Sequence, residues 1–369
     1  MSRSVSARLP LFPWDRLTPY AEIARAHPDG IVDLSIGTPV DPTPAVARDA
    51  LSAAADAPGY PYTAGTAELR EAAVGWLARR FGVLALDPAA VLPTIGSKEL
   101  VALLPTLLGL GRSDVAVVPR LAYPTYDVGV RLAGAEAVPT DGLVELGPAP
   151  VRLVWLNSPA NPTGQVLPAA HLAKVVAWAR ERGALVASDE CYLEFGWDAR
   201  PVSVLDPAVC GDSVEGLLSV HSLSKRSNLA GYRAGFVAGD PALVRELLEV
   251  RKHAGLIVPA PVQAAMTAVL RDDAHVEVQR ARYAGRRAVL RPALEAAGFR
   301  IEHSEAGLYL WATRGEPGWI SVDRLAAIGI LVAPGDFYGD AGMNHVRVAL
   351  TATDERVAAA AQRLAARPA

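Results

Sequence analysis

The stretch His221-Ser-Leu-Ser-Lys225-Arg-Ser-Asn-Leu-Ala-Gly-Tyr-Arg233 closes an apolar run, Leu217–His221. It carries two serines, a lysine and, eight residues beyond the lysine, an arginine. A short apolar run of this kind reads as a buried strand, and the serine-rich segment after it as a loop at the strand's carboxyl end. A lysine held there can lie close to a pocket, partly out of water. Burial and a neighbouring cation would lower its pKa and free its amine to attack an aldehyde. Ser222 and Arg233 suit a phosphate, because arginine grips phosphate oxygens in a bidentate fork. Most lysines are solvated surface groups, so the stretch takes its meaning from what surrounds it.

Outward from this segment, short apolar runs alternate with helical patterns. Strands are expected at Val91–Ile95, Val115–Val118, Glu136–Val138, Val151–Leu156, Leu185–Ser188, Leu217–His221 and Gly235–Ala238. Helices are expected at Ala67–Phe81, Glu99–Leu108, Pro168–Arg182 and Pro241–His253. Such alternation predicts an α/β domain with a mostly parallel sheet, whose ligand sits beyond the carboxyl ends of the strands. After about residue 255 the texture changes. Ala254–Leu270, with Pro259 and Pro261, reads as a domain junction leading into a buried helix. Ala281–Ala297 reads as a helix ended by Gly298. Arg300–Ala312, Leu331–Pro334 and His345–Leu350 read as strands, and Asp354–Ala366 as a final helix. The expectation is a large domain over residues 46–255 and a smaller α+β domain over 256–369 together with 1–45. The Pro- and Gly-rich beginning of the chain is expected to drape across the molecule as an arm.

Composition narrows the classes. The 369 residues suit two domains, and 51% hydrophobic with 20% charged residues is the balance of a chain with a large core, not a disordered one. A net charge of -3 with no basic stripe argues against nucleic acid. Cys191 and Cys210 lack ligand spacing and read as two small buried thiols; no metal is expected. The opening MSRSVSARLPLFPWDR has no signal-peptide core, and the 17 uncharged residues Ala254–Leu270 fall short of a membrane span. A soluble, cytoplasmic protein is expected.

Four further segments carry candidate chemistry, three of them at strand ends and one within a strand. Ser188-Asp189-Glu-Cys-Tyr192-Leu-Glu194 places a carboxylate after an apolar run. Such a group, facing a pyridine nitrogen, keeps it protonated and makes the ring an electron sink; a helix N-cap is the alternative. Tyr192 could donate to a ring oxygen, while Glu190 and Glu194 read as surface or supporting groups. Asn157-Ser-Pro-Ala-Asn161-Pro-Thr-Gly164 makes a rigid turn with a defined carboxamide direction, or an ordinary strand-to-helix turn. Thr94-Ile-Gly96-Ser97-Lys98-Glu99 opens a helix whose first N–H groups form an anion site, with Ser97 and the Lys98 amide as phosphate ligands, or is a plain serine cap. Arg347 lies in the apolar run Val346–Leu350 and needs an anionic partner, either a substrate carboxylate or a structural Asp or Glu. No P-loop or GxGxxG pattern supports nucleotide binding.

Ser-x-Ser-Lys with an Arg eight residues on, Asp-x-x-Tyr, Asn-Pro-Thr-Gly, Gly-Ser-Lys-Glu and the C-terminal Arg together resemble the class I/II aminotransferases of pyridoxal-phosphate fold type I. The resemblance runs in order over nearly the whole chain. It implies pyridoxal 5'-phosphate as cofactor and amino acids and oxo acids as substrates. It makes Lys225 the Schiff-base lysine and proton shuttle, with Asp189 on the pyridine nitrogen and Tyr192 and Asn161 on the 3-oxygen. Ser97, Lys98, Ser222 and Arg233 would hold the phosphate. Arg347 would bind the substrate α-carboxylate, with Asn161 beside it and the backbone of Gly37, in Ser35-Ile-Gly-Thr-Pro39, as a further contact. Tyr123, in Ala122-Tyr-Pro-Thr-Tyr126, looks like the aromatic that stacks on the cofactor ring. Tyr62, in Tyr60-Pro-Tyr-Thr-Ala-Gly65, looks like the tyrosine that reaches the partner subunit's phosphate in a homodimer. Plain packing is the alternative for both tyrosines.

The chain departs from the pattern at Val118-Pro119-Arg120-Leu121, where the usual Asp is missing and Arg120 could read a substrate anion. Leu9–Arg16 and Val32–Pro42 resemble the actinobacterial N-succinyldiaminopimelate aminotransferases. That implies transfer from glutamate to N-succinyl-2-amino-6-oxopimelate, a step of lysine and diaminopimelate biosynthesis. Both substrates carry a distal anion, for which Arg16, Arg120, Arg226 and Lys252 are candidates. Another aminotransferase, or a pyridoxal-phosphate lyase on the same scaffold, is the alternative.

Overall fold

The computed structural model describes residues 4–84 and 86–366. Met1–Arg3, at the start of the opening stretch, and Arg367–Ala369, at the end of the alanine-rich tail, lie outside the described residues. Seven strands build the main sheet: β1 (Val91–Ile95), β2 (Val115–Val118), β3 (Glu136–Pro139), β4 (Val151–Asn157), β5 (Leu185–Asp189), β6 (Leu217–Ser222) and β7 (Ala234–Gly239). Their order is β1-β7-β6-β5-β4-β2-β3. The five from β3 to β6 pair in parallel, and β7 runs antiparallel to both its neighbours.

The continuous apolar strands need cover on both faces, as parallel sheets do. On one face Val117, Val154, Val186 and Phe236 pack with Leu69, Trp76 and Leu77 of helix α1 (Ala67–Phe81). On the other, Val118, Trp155, Leu218 and Val237 pack with Leu100 and Leu104 of α2 (Gly96–Leu107) and with Tyr126 and Val130 of α3 (Thr125–Ala133). Each such side chain contributes about 1.5–3 kcal/mol on burial. Where a junction is expected, Val258, Ala265, Met266, Val269 and Leu270 join the same core as Leu69 and Trp76. A helix, α4 (Pro241–Ala254), ends at Gly255 with φ 67°, and α5 (Ala260–Arg271) begins after Pro259.

The long helix α6 (Ala274–Ala296) leads to a second, antiparallel sheet of β8 (Arg300–Glu302), β9 (Tyr309–Thr313), β10 (Ala333–Pro334) and β11 (Val346–Ala349), in the order β10-β11-β9-β8. The single strand expected over Arg300–Ala312 is therefore two. The chain reverses where His303, Ser304 and Gly307 take φ of 51°, 61° and 77°. Ser304 Oγ pins the turn, donating to Glu302 O and accepting from Trp311 N, both at 3.0 Å. The beginning of the chain does more than drape: Thr18–Arg25 and Ala45–Ala53 are helical. The first turns Ala21 and Ala24 into a core with Val322, Leu325 and Ala326. Val32–Asp33 then pairs with Ile330–Leu331, tying this segment to the smaller sheet's side. Among the described residues, no helix is long and apolar enough to cross a membrane.

Candidate active site

Strand register assembles the first part of the site. Ser222, the last residue of β6, sits opposite Gly235 of β7, and Gly235 sits opposite Thr94 of β1. Because β7 runs antiparallel, its entrance lies at the same edge as the exits of β1 and β6. Arg233, just ahead of β7 in the left-handed region with φ 55°, thus comes against the start of α2. A Cβ on Gly96 would lie 2.4 Å from an Arg233 guanidinium nitrogen, and one on Gly235 would lie 3.0 Å from Ser97 N. Only glycines let these groups close up. Ser97, the Lys98 amide, Ser222 and Arg233 therefore converge on one edge. Arg233 donates to Ala230 O at 3.0 Å, and no carboxylate pairs with it among the described residues.

Asp189 ends β5, opposite Asn157 of β4. It is buried and accepts hydrogen bonds from Tyr126 Oη at 2.9 Å and from Cys191 N at 3.2 Å. Asn157 steadies it from the side, donating Nδ2 to Asp189 O at 2.9 Å while its Oδ1 accepts Asn161 N at 2.7 Å. Among the described residues no cation pairs with Asp189 directly, so a buried carboxylate stands ready for a positive group. Lys225 sits on the short turn Leu223–Arg226 after β6, half-buried, with its charge felt at Tyr123 and Cys191. Burial pushes the Tyr123 hydroxyl above its usual range and raises the Cys191 thiol well above its own. Tyr123 meets Tyr126 edge-on at 6.0 Å.

The third part is a cationic clamp. Arg347 on β11 is buried, with its guanidinium carbon 4.0 Å from the ring centre of Tyr309 and 4.9 Å from that of Tyr338. It donates to Asn161 Oδ1 at 2.9 Å and to Ser35 O at 2.6 Å, while its Nε is buried without a partner. Of the two partners left open by the sequence, no structural Asp or Glu pairs with it among the described residues. The Ser35–Gly37 segment is laced to β11 and the residues after it: Ala349 N donates to Leu34 O at 2.9 Å and Thr351 Oγ1 to Ile36 O at 3.0 Å. Gly37 lies so close to Tyr309 that a Cβ there would be 2.1 Å from its hydroxyl. Tyr192 Oη and Tyr309 Oη share a hydrogen bond at 3.0 Å, which brings Tyr192 to the same cluster.

Some expectations need correction. Glu190 and Glu194 are buried, because each has internal partners: Val204 N and Ser219 Oγ for Glu190, and Arg226 and Trp76 Nε1 for Glu194. None of the four distal-anion candidates is free. Arg16 pairs with Asp336 at 3.1 Å, Arg120 with Glu145 at 2.9 Å and Lys252 with Glu249 at 2.7 Å, and Arg226 is buried against Glu194. Cys191 is only half-buried and Cys210 is buried. Tyr62 is 79% exposed and takes no part in the cluster of its own chain. Sequence reasoning does not single out Tyr126, Tyr309 or Tyr338. Tyr126 closes the Ala122–Tyr126 motif, and its place there is a signal that could have found it. A cleft of about 700 Å³ lined by Arg80, Trp197, Asp198, Glu277 and Arg280 lies apart from Lys225 and Asp189.

The family model for aminotransferase class I and II matches residues 29–364. The chain belongs to the class I and II aminotransferases. It is 67% identical to the 4-dedimethylamino-4-oxo-anhydrotetracycline transaminase OxyQ of Streptomyces rimosus, over 96% of this chain and 99% of that one. It is also 67% identical to the probable aminotransferase Rv1178 of Mycobacterium tuberculosis, covering 98% and 86%. An LL-diaminopimelate aminotransferase of Gloeobacter violaceus is 35% identical over 95% and 96%. Among solved structures, an aminotransferase from Neisseria meningitidis superposes with a TM-score of 0.90 at 32% identity, covering all of both chains. The fold is the α/β fold of type I aminotransferases, and the cofactor of this aminotransferase is pyridoxal 5'-phosphate.

The residues of the aminotransferase fit that cofactor. Arg233 without a carboxylate, beside Ser97, Ser222 and the first amides of α2, suits a phosphate. Asp189, buried without a cation partner, suits a protonated ring nitrogen. Lys225 follows Ser222 at the end of β6, the strand that pairs with the β5 of Asp189.

Proposed function

We propose that this aminotransferase moves an amino group from glutamate to N-succinyl-2-amino-6-oxopimelate, as a succinyldiaminopimelate transaminase. The observation that carries the reading is Arg347, a buried guanidinium with no carboxylate partner among the described residues and an unpaired Nε. A buried cation of this kind is costly without an anion, and glutamate and the oxo acid each bring an α-carboxylate. The resemblance of Leu9–Arg16 and Val32–Pro42 supports the acceptor, as does the likeness to diaminopimelate aminotransferases.

Pyridoxal phosphate, when bound, supplies an aldehyde for the substrate amine and a ring that accepts electrons released at Cα. Lys225 would hold the cofactor covalently, and its amine, freed when the substrate amine displaces it, would take and return the α-proton. Asp189 keeps the ring nitrogen protonated. Tyr192 and the Asn161 amide bind the ring oxygen, and Tyr123 covers the ring face. Ser97, the Lys98 amide, Ser222 and Arg233 hold the phosphate. Arg347, Asn161 and the backbone of Gly37 fix the α-carboxylate so that the α-proton faces the lysine. The working unit in this reading is a homodimer in which exposed Tyr62 reaches the partner's phosphate. In this reading residues 46–255, with α5 packed on their core, form the cofactor-binding domain, and 1–45 with the rest of 256–369 the smaller one.

A second reading is favoured by one observation, the 67% identity to OxyQ: the acceptor would be a polycyclic ketone, with Arg347 serving glutamate alone. The test loads the enzyme with amino groups from glutamate and screens acceptors for return of the yellow cofactor band. Return with N-succinyl-2-amino-6-oxopimelate but not with an anhydrotetracycline ketone supports the first reading. The reverse pattern overturns it.

A further inference from the structure

Two side chains that the proposed chemistry does not use stand immediately behind two that it does. Glu194 follows Tyr192 by two residues, and Arg226 follows Lys225 directly. Their side chains, each 3% exposed, form an ion pair through Arg226 Nε and Glu194 Oε2. We propose that this buried pair is a positioning device that sets Lys225 and Tyr192 relative to each other across the cofactor site. The proposal rests on the reading of Lys225 as the cofactor's lysine.

The pair is held from several sides, with Arg226 Nη2 alone buried without a partner among the described residues. Glu194 Oε1 accepts Trp76 Nε1 at 3.3 Å and lies 3.2 Å from Arg80 Nε, both from α1. Arg226 Nη1 donates to Ser227 Oγ and to Val269 O of α5, each at 3.1 Å, and its guanidinium carbon lies 5.3 Å from the Trp76 ring centre. Ser227 Oγ in turn bonds His275 Nε2 at 2.8 Å, at the start of α6, and His275 Nδ1 bonds Asp272 at 2.5 Å. The turn that carries Lys225 is thus fastened to the loop that carries Tyr192, to α1, to α5 and to the first turn of α6. A buried ion pair is a weak source of stability compared with an apolar pair of the same volume. What it supplies is direction: Nε holds the Glu194 carboxylate while Nη1 holds Ser227 Oγ and Val269 O, so the planar guanidinium fixes the angle of its own backbone turn. A small misplacement of a reacting group costs rate steeply. The charged and titratable groups that face the pair are Arg79, Arg80, His221, Asp273 and His275.

The test compares the holoenzymes of wild type, Glu194→Gln/Arg226→Gln and Arg226→Lys. The double variant leaves no lone buried charge. Three quantities are read: the pH midpoint of the visible band of cofactor bound to Lys225, kcat against KM for glutamate, and the melting temperature. The expected result for the double variant is a folded, cofactor-loaded protein whose band midpoint moves by about half a pH unit or more. Its kcat falls roughly tenfold or more while KM changes less than about threefold. Arg226→Lys recovers part of the kcat and part of the midpoint. A double variant with the wild-type midpoint and a kcat within about twofold overturns the proposal, whatever its melting temperature. If the double variant does not fold, Arg226→Lys alone decides by the same two readings. A band that survives Lys225→Ala in an otherwise wild-type chain overturns the lysine assignment and this proposal together, and is told apart from failure of the pair alone by that variant.

Discussion

Tyr126 donates its hydroxyl to Oδ2 of Asp189 at 2.9 Å, with both side chains buried. The tyrosine is held flat on Trp155, ring centres 4.9 Å apart, so it fixes where the carboxylate points. Burial, with Asp189 beside it, pushes the Tyr126 hydroxyl far above its ordinary range, so it stays a donor at every working pH. Tyr126→Phe removes one hydrogen bond to a charged group, worth about 1.5–3 kcal/mol. The expected outcome is a kcat lowered by roughly ten- to a hundredfold with the fold intact, measured by steady-state kinetics on cofactor-saturated enzyme.

Arg347→Ala removes the clamp and leaves Asn161 Oδ1 and Ser35 O without their donor. Lys225, Asp189 and the phosphate contacts are untouched, so the yellow band should still form, although Asn161, which also serves the ring oxygen, loses its partner. The kcat/KM for glutamate should fall by roughly a hundredfold or more, in line with about 2–5 kcal/mol for a buried charge contact. Equal loss for amino acids with and without a distal carboxylate would be the mark of an α-carboxylate contact.

Gly37→Ala puts a methyl where the Tyr309 hydroxyl already sits, 2.1 Å from the new Cβ. Tyr309 also bonds Tyr192 and lies over Arg347, so it cannot yield alone. Overpacking of this sort costs about 1–3 kcal/mol. Both the melting temperature and kcat/KM should drop. Gly37→Ala/Tyr309→Phe, which removes the clashing oxygen, should recover part of the stability.

Glu190 lies beneath the sheet edge with Ser219 and His221. Burial pushes its pKa up from 4.5 to about 7 against the lowering effect of Val204 N and nearby serines. Its folded pKa therefore lies above its unfolded one. The stability it contributes is fully present below about pH 4.5 and is lost as pH rises to about 7, by ~3 kcal/mol for the shift. His221, held down to about 3 by burial and by Arg226, gives a slope of the opposite sign below its unfolded value of 6.5. Comparison with Glu190→Gln cancels the histidine. Urea unfolding at pH 5 and pH 7.5 should show wild type losing stability relative to the variant; parallel profiles would contradict the assigned shift.

Most strands of the main sheet are legible in the sequence because they are apolar runs bounded by turn residues, and the carboxyl ends of three of them point to Asp189, Lys225 and Ser97. The features hidden from the sequence come from contacts across the chain. Thr125–Ala133 is a helix that the sequence reading leaves unassigned, its start being read only as a ring-stacking motif. Tyr309 lies in the Arg300–Ala312 stretch, and its place beside Gly37 and Arg347 depends on the reversal at His303 and Ser304, which no pattern of apolar residues signals. Arg226 resembles a candidate for a substrate anion because its partner, Glu194, lies 32 residues away and reads as either a surface or a supporting group until the chain is folded. Charge pairs formed by folding are invisible to spacing.

The central claim is that Lys225 bonds the cofactor and performs aminotransfer. The measurement that tests it most directly is the visible spectrum of the purified protein with pyridoxal phosphate, before and after glutamate, in wild type and Lys225→Ala. The predicted result is a yellow band in wild type that glutamate bleaches and a suitable oxo acid restores, with no such behaviour in the variant. An identical response in the two proteins, or a wild type that forms no band, would contradict it.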